Sequence, residues 1–271
     1  MKKKLSATLS ALAACTLFAG LSGCSNSTSD TQNGNAIANA TKPVTMTKAF
    51  NAEGIWYYAQ KPSEDGEIAN IIVFDGKGEM TVYDVSYPRE SDLFESDPLT
   101  YADLEGLSDD EIISLAKDRD KKVFEVESEK NISDIKNYDD AEEFHNSYGM
   151  TPDEALEKLN NFTYQAPKSQ SFSLNTGESE FDIAQFFRVK LTYPDFDWDS
   201  DTFGEYATGD GEFIFYDINV DVETEKVGNM YFDGYALPEK GGGFYMQVSK
   251  DFPGFILDKS RNEDGSTTYE N

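Results

Sequence analysis

The chain has 271 residues and is strongly acidic, with 51 Asp and Glu, 23 Lys and Arg and a formal net charge of −28 at pH 7. Binding to nucleic acid needs a basic face that releases counterions from phosphates, so this charge argues against a nucleic-acid partner. It also argues against a protein body that lies flat on anionic lipid.

The first 23 residues have the pattern of an export signal. Three lysines at positions 2–4 precede a mostly apolar run over residues 5–21, and no positively charged stop-transfer segment follows. This pattern predicts a signal peptide and not a mature membrane span. The run leads into Leu21-Ser22-Gly23-Cys24.

That four-residue ending resembles the lipobox of bacterial lipoproteins, in which a leucine and two small residues precede a cysteine. The resemblance implies that Cys24 becomes the first mature residue and carries thioether-linked diacylglycerol, with fatty acids such as palmitate. The acyl chains would hold the protein on the outer face of the cytoplasmic membrane. Four of the 23 basic residues are arginine, a bias that favours a Gram-positive host. The alternative is an ordinary signal peptide in which Cys24 falls by chance.

After export, the protein body is expected to contain no free cysteine. Cys15 departs with the signal peptide and lipid blocks Cys24, so no disulfide forms. Residues 25–45 are mainly Ser, Thr, Asn, Gly and Ala, which bury too little surface to fold. The sequence therefore predicts a signal peptide over 1–23, a lipidated, disordered tether over 24–45 and a single β-rich domain over 46–271.

Strand patterns occur at both ends of this body. "GIWYYAQ" is rich in strand-forming aromatics, and "IANIIVFDGKGEMTVYDVS" predicts a hairpin that turns at residues 75–78. Further strands are predicted in "FFRVKLTY", "GEFIFYDINVDVETE", "NMYFDGYAL" and "GFYMQV". The alternation in "GEFIFYDINVDVETE" is the clearest, with one apolar and one increasingly acidic face.

Helix-start signals lie between these strand regions. Ser108 and Glu111 form a capping-box pattern, and Thr151-Pro152 with Glu154 marks a second helix start. Residues 126–149 are polar and ambiguous. The order predicts an α+β protein built on an antiparallel β-sheet, a sandwich or partly open barrel, with a helical insertion over about 100–162.

The most suggestive ligand pattern is "DFDWDSD", which places acids at every second position: Asp195, Asp197, Asp199 and Asp201. Calcium loops gather oxygen ligands at alternate positions, so calcium is the one candidate cofactor. The pattern departs from the EF-hand at its sixth position, Ser200, and its twelfth, Tyr206. The simpler interpretation is a loop or edge strand whose acids face water.

Catalytic signatures are scarce. The one histidine, His145, excludes multi-histidine metal centres and is interpreted as a surface or structural residue. The sequence has no G-x-S-x-G elbow and no P-loop, so no catalytic residue is assigned. The aromatics at Trp56-Tyr57-Tyr58 and at Trp198 are of types that stack on sugars, but core positions explain them more simply.

Three functions remain open. The favoured one is a non-catalytic, membrane-anchored module that binds an unknown protein, an envelope polymer or a small ligand. The second is an envelope hydrolase with paired carboxylates, as in glycosidases. The third is a lipocalin-like carrier, which would require an apolar cavity inside the sheet.

Overall fold

The computed structural model describes residues 36–86, 98–161, 163–178, 183–193, 207–214, 223–237, 242–261 and 267–269. Burial and side-chain contacts are described for 36–86, 98–161, 163–172, 223–237 and 242–258. The described elements are β1 (Val44–Thr45), α1 (Met46–Phe50), β2 (Glu53–Gln60), β3 (Ile68–Asp75), β4 (Glu79–Asp84), a 3-10 helix (Tyr101–Leu104), α2 (Asp109–Lys136), α3 (Ala141–Tyr148), α4 (Pro152–Asn160), β5 (Gln170–Ser171), β6 (Ser173–Glu178), β7 (Ile183–Tyr193), β8 (Ala207–Ile214), β9 (Glu225–Val227), β10 (Met230–Leu237), β11 (Gly242–Val248), β12 (Phe255–Ile256), β13 (Lys259–Arg261) and β14 (Thr267–Tyr269).

A seven-stranded antiparallel sheet forms the centre of the fold. Its strand order is β5-β4-β3-β2-β11-β10-β9. β5 and β9 are its two ends and do not pair with each other, so the described strands form an open sheet and not a closed barrel. Strands β6, β7 and β8 form a separate antiparallel sheet, and β13 pairs with β14. The predicted α+β class, antiparallel sheet and helical insertion are confirmed.

The predicted hairpin joins β3 to β4 through a glycine-rich turn. Gly76 and Gly78 have φ angles of 69° and 90°, a conformation that side chains with a Cβ rarely adopt. The Asp75 side chain accepts hydrogen bonds from the backbone N–H groups of Lys77 and Glu79 at 2.7 and 3.0 Å. These bonds satisfy the turn and lower the pKa of Asp75.

Both faces of the large sheet are covered. Trp56 belongs to a first apolar cluster on one face, and the adjacent Tyr57 belongs to a second cluster on the other. Successive side chains of a strand point to opposite faces, which explains why neighbouring aromatics enter different cores. Ile112 and Ala116 of α2 cover the second cluster.

The N-terminal segment covers the first cluster, which corrects the predicted tether boundary. Ile37 and Val44 are buried in that cluster together with Phe50 of α1. β1 pairs in parallel with β12, and the Ala38 carbonyl accepts a hydrogen bond from Ser249 N–H at 2.9 Å. The prediction of a disordered tether is therefore wrong for residues 36–45, because two apolar side chains and a distant strand hold this polar stretch in place.

The helical insertion has its own small core. The Ser108–Glu111 capping box starts α2, and Thr151 with Glu154 starts α4, as predicted. The ambiguous stretch after residue 126 continues α2 to Lys136 and contains α3. Ile135, Phe144, Ala155 and Leu159 pack together where α2, α3 and α4 meet.

Candidate functional site

Two partly buried carboxylates lie where the helical insertion meets the sheet. One oxygen of Asp120, in α2, accepts a hydrogen bond from the backbone N–H of Asp84 at 2.9 Å. Its other oxygen accepts a hydrogen bond from the Tyr164 hydroxyl at 2.8 Å. Asp120 thus connects three segments: the end of β4, the middle of α2 and the chain after α4. We call this cluster the Asp84–Asp120–Tyr164 joint.

The local backbone explains why Asp120 is needed there. Val85 N–H donates to Ala69 of β3 at 3.0 Å, so the N–H of Asp84 points the opposite way, towards β5. The short strand β5 pairs only with Glu79 and Met80 of β4. Asp120 therefore supplies the acceptor that β5 does not reach, which satisfies a backbone donor at the sheet edge.

The Asp84 side chain adds a second acid to the joint. One of its oxygens accepts hydrogen bonds from the backbone N–H and hydroxyl of Ser86 at 3.2 and 3.3 Å. Burial, with a smaller contribution from the charge of Asp120, raises the pKa of Asp84 to about 6, although the Ser86 bonds favour the ionised form. Asp84 is therefore placed to gain a proton close to neutral pH.

Asp120 and Tyr164 are shifted in the same direction. Burial raises the pKa of Asp120, and its two hydrogen bonds only partly oppose that shift. Burial and the carboxylate of Asp120 raise the pKa of Tyr164, so the phenol keeps its proton and stays a donor. Tyr164 also lies against Phe124 of α2, with ring centroids 5.6 Å apart.

A third acid is fully enclosed elsewhere in the sheet. Asp233 of β10 is 2% exposed and accepts a hydrogen bond from the Thr224 hydroxyl at 2.9 Å. Its other oxygen accepts from the backbone N–H of Gly234 at 2.7 Å. Burial raises the pKa of Asp233, and both oxygens are engaged within the fold.

A second junction lies where the N-terminal segment meets the C-terminal strands. Asp258 accepts hydrogen bonds from the backbone N–H and hydroxyl of Thr47 at 2.9 and 2.8 Å. Val44 N–H donates to the Gly254 carbonyl at 3.1 Å. The chain that arrives from Cys24 is therefore fixed to the body by contacts at residues 37–50.

The residues singled out in the sequence fall in different places. Cys24, Trp198 and the aspartates at 195, 197, 199 and 201 lie outside the described residues. His145 is exposed on α3, and its carbonyl accepts the N–H of Gly149 at 2.9 Å. Trp56 and Tyr57 are buried in the core and face no solvent.

The described ranges contain no group of three His, Cys, Asp or Glu side chains arranged to hold a metal ion. None of the helices in the described part of the chain combines the length and apolarity that a bilayer crossing requires.

Sequence reasoning missed Asp84 and Asp120. The signal for Asp120 was its spacing, because it follows the buried Ile112 and Ala116 at four-residue intervals and precedes the buried Val123. An acid within the buried stripe of a helix predicts a specific partner. No comparable signal marks Asp84, whose neighbours become visible only when α2 lies against β4.

The fold and site define an α+β protein with an open antiparallel sheet, a helical insertion and a buried carboxylate joint between them. The chain matches no family model, no curated protein and no solved structure.

Proposed function

We propose that the protein is a membrane-anchored extracellular lipoprotein whose body is a non-catalytic binding or envelope-associated module. The observation that carries this proposal is Leu21-Ser22-Gly23-Cys24 at the end of an apolar N-terminal run. Diacylglycerol on Cys24 supplies the membrane affinity that the acidic body lacks. The partner is a protein, an envelope polymer or a small ligand.

The N-terminal junction sets how far the body stands from the membrane. The chain is held to the body from Ala38 onward, where its carbonyl accepts the N–H of Ser249. About 14 residues separate Cys24 from Ala38, and such a length spans at most about 50 Å. The anchor therefore keeps the module within reach of partners in the inner part of the envelope.

The chemistry of the joint favours binding over catalysis. A catalytic carboxylate needs a free oxygen within reach of substrate. Both oxygens of Asp120 are held by Asp84 N–H and the Tyr164 hydroxyl. The aromatics Trp56 and Tyr57, which would otherwise suit sugar stacking, serve as core residues.

One observation keeps an envelope hydrolase as the second candidate. Glycosidases use two acids, one of which holds a proton near neutral pH. Asp84, with its pKa raised to about 6 beside Asp120, has that property. A lipocalin-like carrier has no comparable support, because the described strands form an open sheet with packed apolar clusters on both faces.

The anchor is tested with the two cysteines as a matched pair. Cells expressing the wild type, Cys24→Ser or Cys15→Ser are labelled with radioactive palmitate, and the protein is followed by its mass and membrane fractionation. We expect label and membrane retention in the wild type and in Cys15→Ser, and no label in Cys24→Ser. Palmitate incorporation into Cys24→Ser would refute the anchor.

Catalysis is tested separately on the purified chain. Isolated cell-wall polymer is incubated with the wild type and with Asp84→Asn, and new reducing ends are measured between pH 4 and pH 8. A module that binds the polymer releases no reducing ends, and the wild type and Asp84→Asn co-sediment equally with the polymer. If the wild type releases reducing ends and Asp84→Asn does not, the protein is a hydrolase and the proposed binding module is wrong.

A further inference from the structure

The Asp84–Asp120–Tyr164 joint is the polar connection between the helical insertion and the sheet edge. Asp120 lies between Ala116, which packs on the sheet, and Val123, which is buried farther along α2. Through its two oxygens it holds the backbone of β4 and the side chain of Tyr164. Separating α2 from β4 would break the hydrogen bond from Asp84 N–H to Asp120.

The joint also holds two like charges at neutral pH. The titratable side chains that face it within the described ranges are Tyr83 and Asp84 of β4, Asp120 of α2 and Tyr164. The two tyrosines are neutral, so they do not offset the carboxylates. A proton on Asp84 removes the cost of burying its charge and the smaller repulsion from Asp120, and it leaves both hydrogen bonds of Asp120 in place.

We propose that the Asp84–Asp120–Tyr164 joint is an acid-tightened latch, which holds the helical insertion more firmly on the sheet when the surrounding medium is acidic. Asp84 accepts the proton. Asp120 accepts the hydrogen bonds that join α2 to the backbone of β4 and to the Tyr164 hydroxyl. At neutral pH the buried charge of Asp84, with a smaller contribution from repulsion by Asp120, weakens the contact between α2 and β4. At pH 5 Asp84 is mostly protonated and the contact strengthens.

The cellular use of this latch rests on the proposed function, since a protein outside the membrane meets the pH of the medium and not that of the cytosol. Its physical basis does not depend on location. A measurement on the purified full chain therefore tests the latch independently of the lipid anchor.

Amide hydrogen exchange measures the latch directly. Protection factors, corrected for intrinsic exchange, are compared at pH 7 and pH 5 for residues 116–126 of α2. Residues 71–73 of β3 report global unfolding, which also frees Asp84, so their protection should be higher than that of α2 and should rise by a similar factor. Because opening returns Asp84 to its ordinary pKa, protection of α2 should rise about tenfold from pH 7 to pH 5.

Three variants separate the latch from general stabilisation. Asp84→Asn should show high protection of α2 at both pH values, with the rise abolished. Asp118→Asn changes an exposed acid on the same helix and should behave as the wild type. Tyr164→Phe removes one held hydroxyl, so it should lower protection at both pH values and keep the rise.

Each contrary result overturns the latch. These results are a wild type without the rise, an Asp84→Asn protein that retains it, protection of α2 equal to that of β3, and a Tyr164→Phe protein with unchanged protection. The wild-type series and Tyr164→Phe keep the test decisive even where Asp84→Asn fails to fold.

Discussion

Truncating buried side chains in the N-terminal segment should destabilise the protein as core mutations do. Ile37 is 4% exposed and Val44 is fully buried, and both belong to the first apolar cluster. Ile37→Ala removes three carbons and Val44→Ala removes two, at about 0.8 kcal/mol of transfer free energy each. With the cavity contribution, we expect losses of about 3 and about 2 kcal/mol in the free energy of unfolding.

Urea unfolding of the full chain, followed by tryptophan fluorescence, measures these losses because Trp56 lies in the same cluster. Thr41→Ala and Lys42→Ala are matched controls, since both side chains are exposed in the same segment, and each should change stability by less than about 0.5 kcal/mol. If Ile37→Ala and Val44→Ala are as neutral as these controls, residues 36–45 behave as the tether that composition suggested, and the packing argument fails.

Three further predictions follow from local geometry. The raised pKa of Asp84 implies a stabilising contribution that is full below about pH 4 and lost as pH rises through about 6. Measured by urea midpoints, Asp84→Asn should remove about 1–2 kcal/mol of this pH dependence of stability, after allowance for partial exposure. A pH dependence that is unchanged in Asp84→Asn would contradict the prediction. Gly234→Ala would place a Cβ in steric overlap with the Phe244 carbonyl oxygen and should cost about 3 kcal/mol or more in thermal unfolding. Gly149→Ala, which has open space around its Cβ but a φ of +65°, should cost about 1 kcal/mol. Ser108→Ala removes the cap of α2 and should cost about 1 kcal/mol by the same assay, and a neutral result would mean that the cap adds nothing.

Local signals predicted much of the fold. The Ser108 and Thr151 caps mark helix starts within a few residues, because the hydrogen bonds that form them involve side chains and backbone at most three residues apart. The hairpin turn at Gly76 and Gly78 is local for the same reason. Residues 126–149 stayed ambiguous because their helices depend on burying Ile135 and Phe144 against each other.

The candidate site was much harder to predict. The sequence analysis did not single out Asp120, whose one signal is its position on the buried stripe of α2. Asp84 is one of 51 acids, with nothing in its neighbouring sequence to distinguish it. Their hydrogen bond joins residues 36 positions apart, and Tyr164 lies 44 positions beyond Asp120. The raised pKa of Asp84 arises from burial, which depends on how α2 lies on β4.

The sequence by itself determined the α+β class, the helix caps and the hairpin, because each depends on short-range arrangements of residues along the chain. Only the tertiary structure decided that Ile37 and Val44 belong to the core and that Asp84, Asp120 and Tyr164 meet. Val44 pairs beside Phe255, more than 200 residues away, and no local pattern specifies such a partner. Burial and long-range hydrogen bonds depend on the whole chain being folded, and they place both the contact between Thr47 and Asp258 and the Asp84–Asp120–Tyr164 joint.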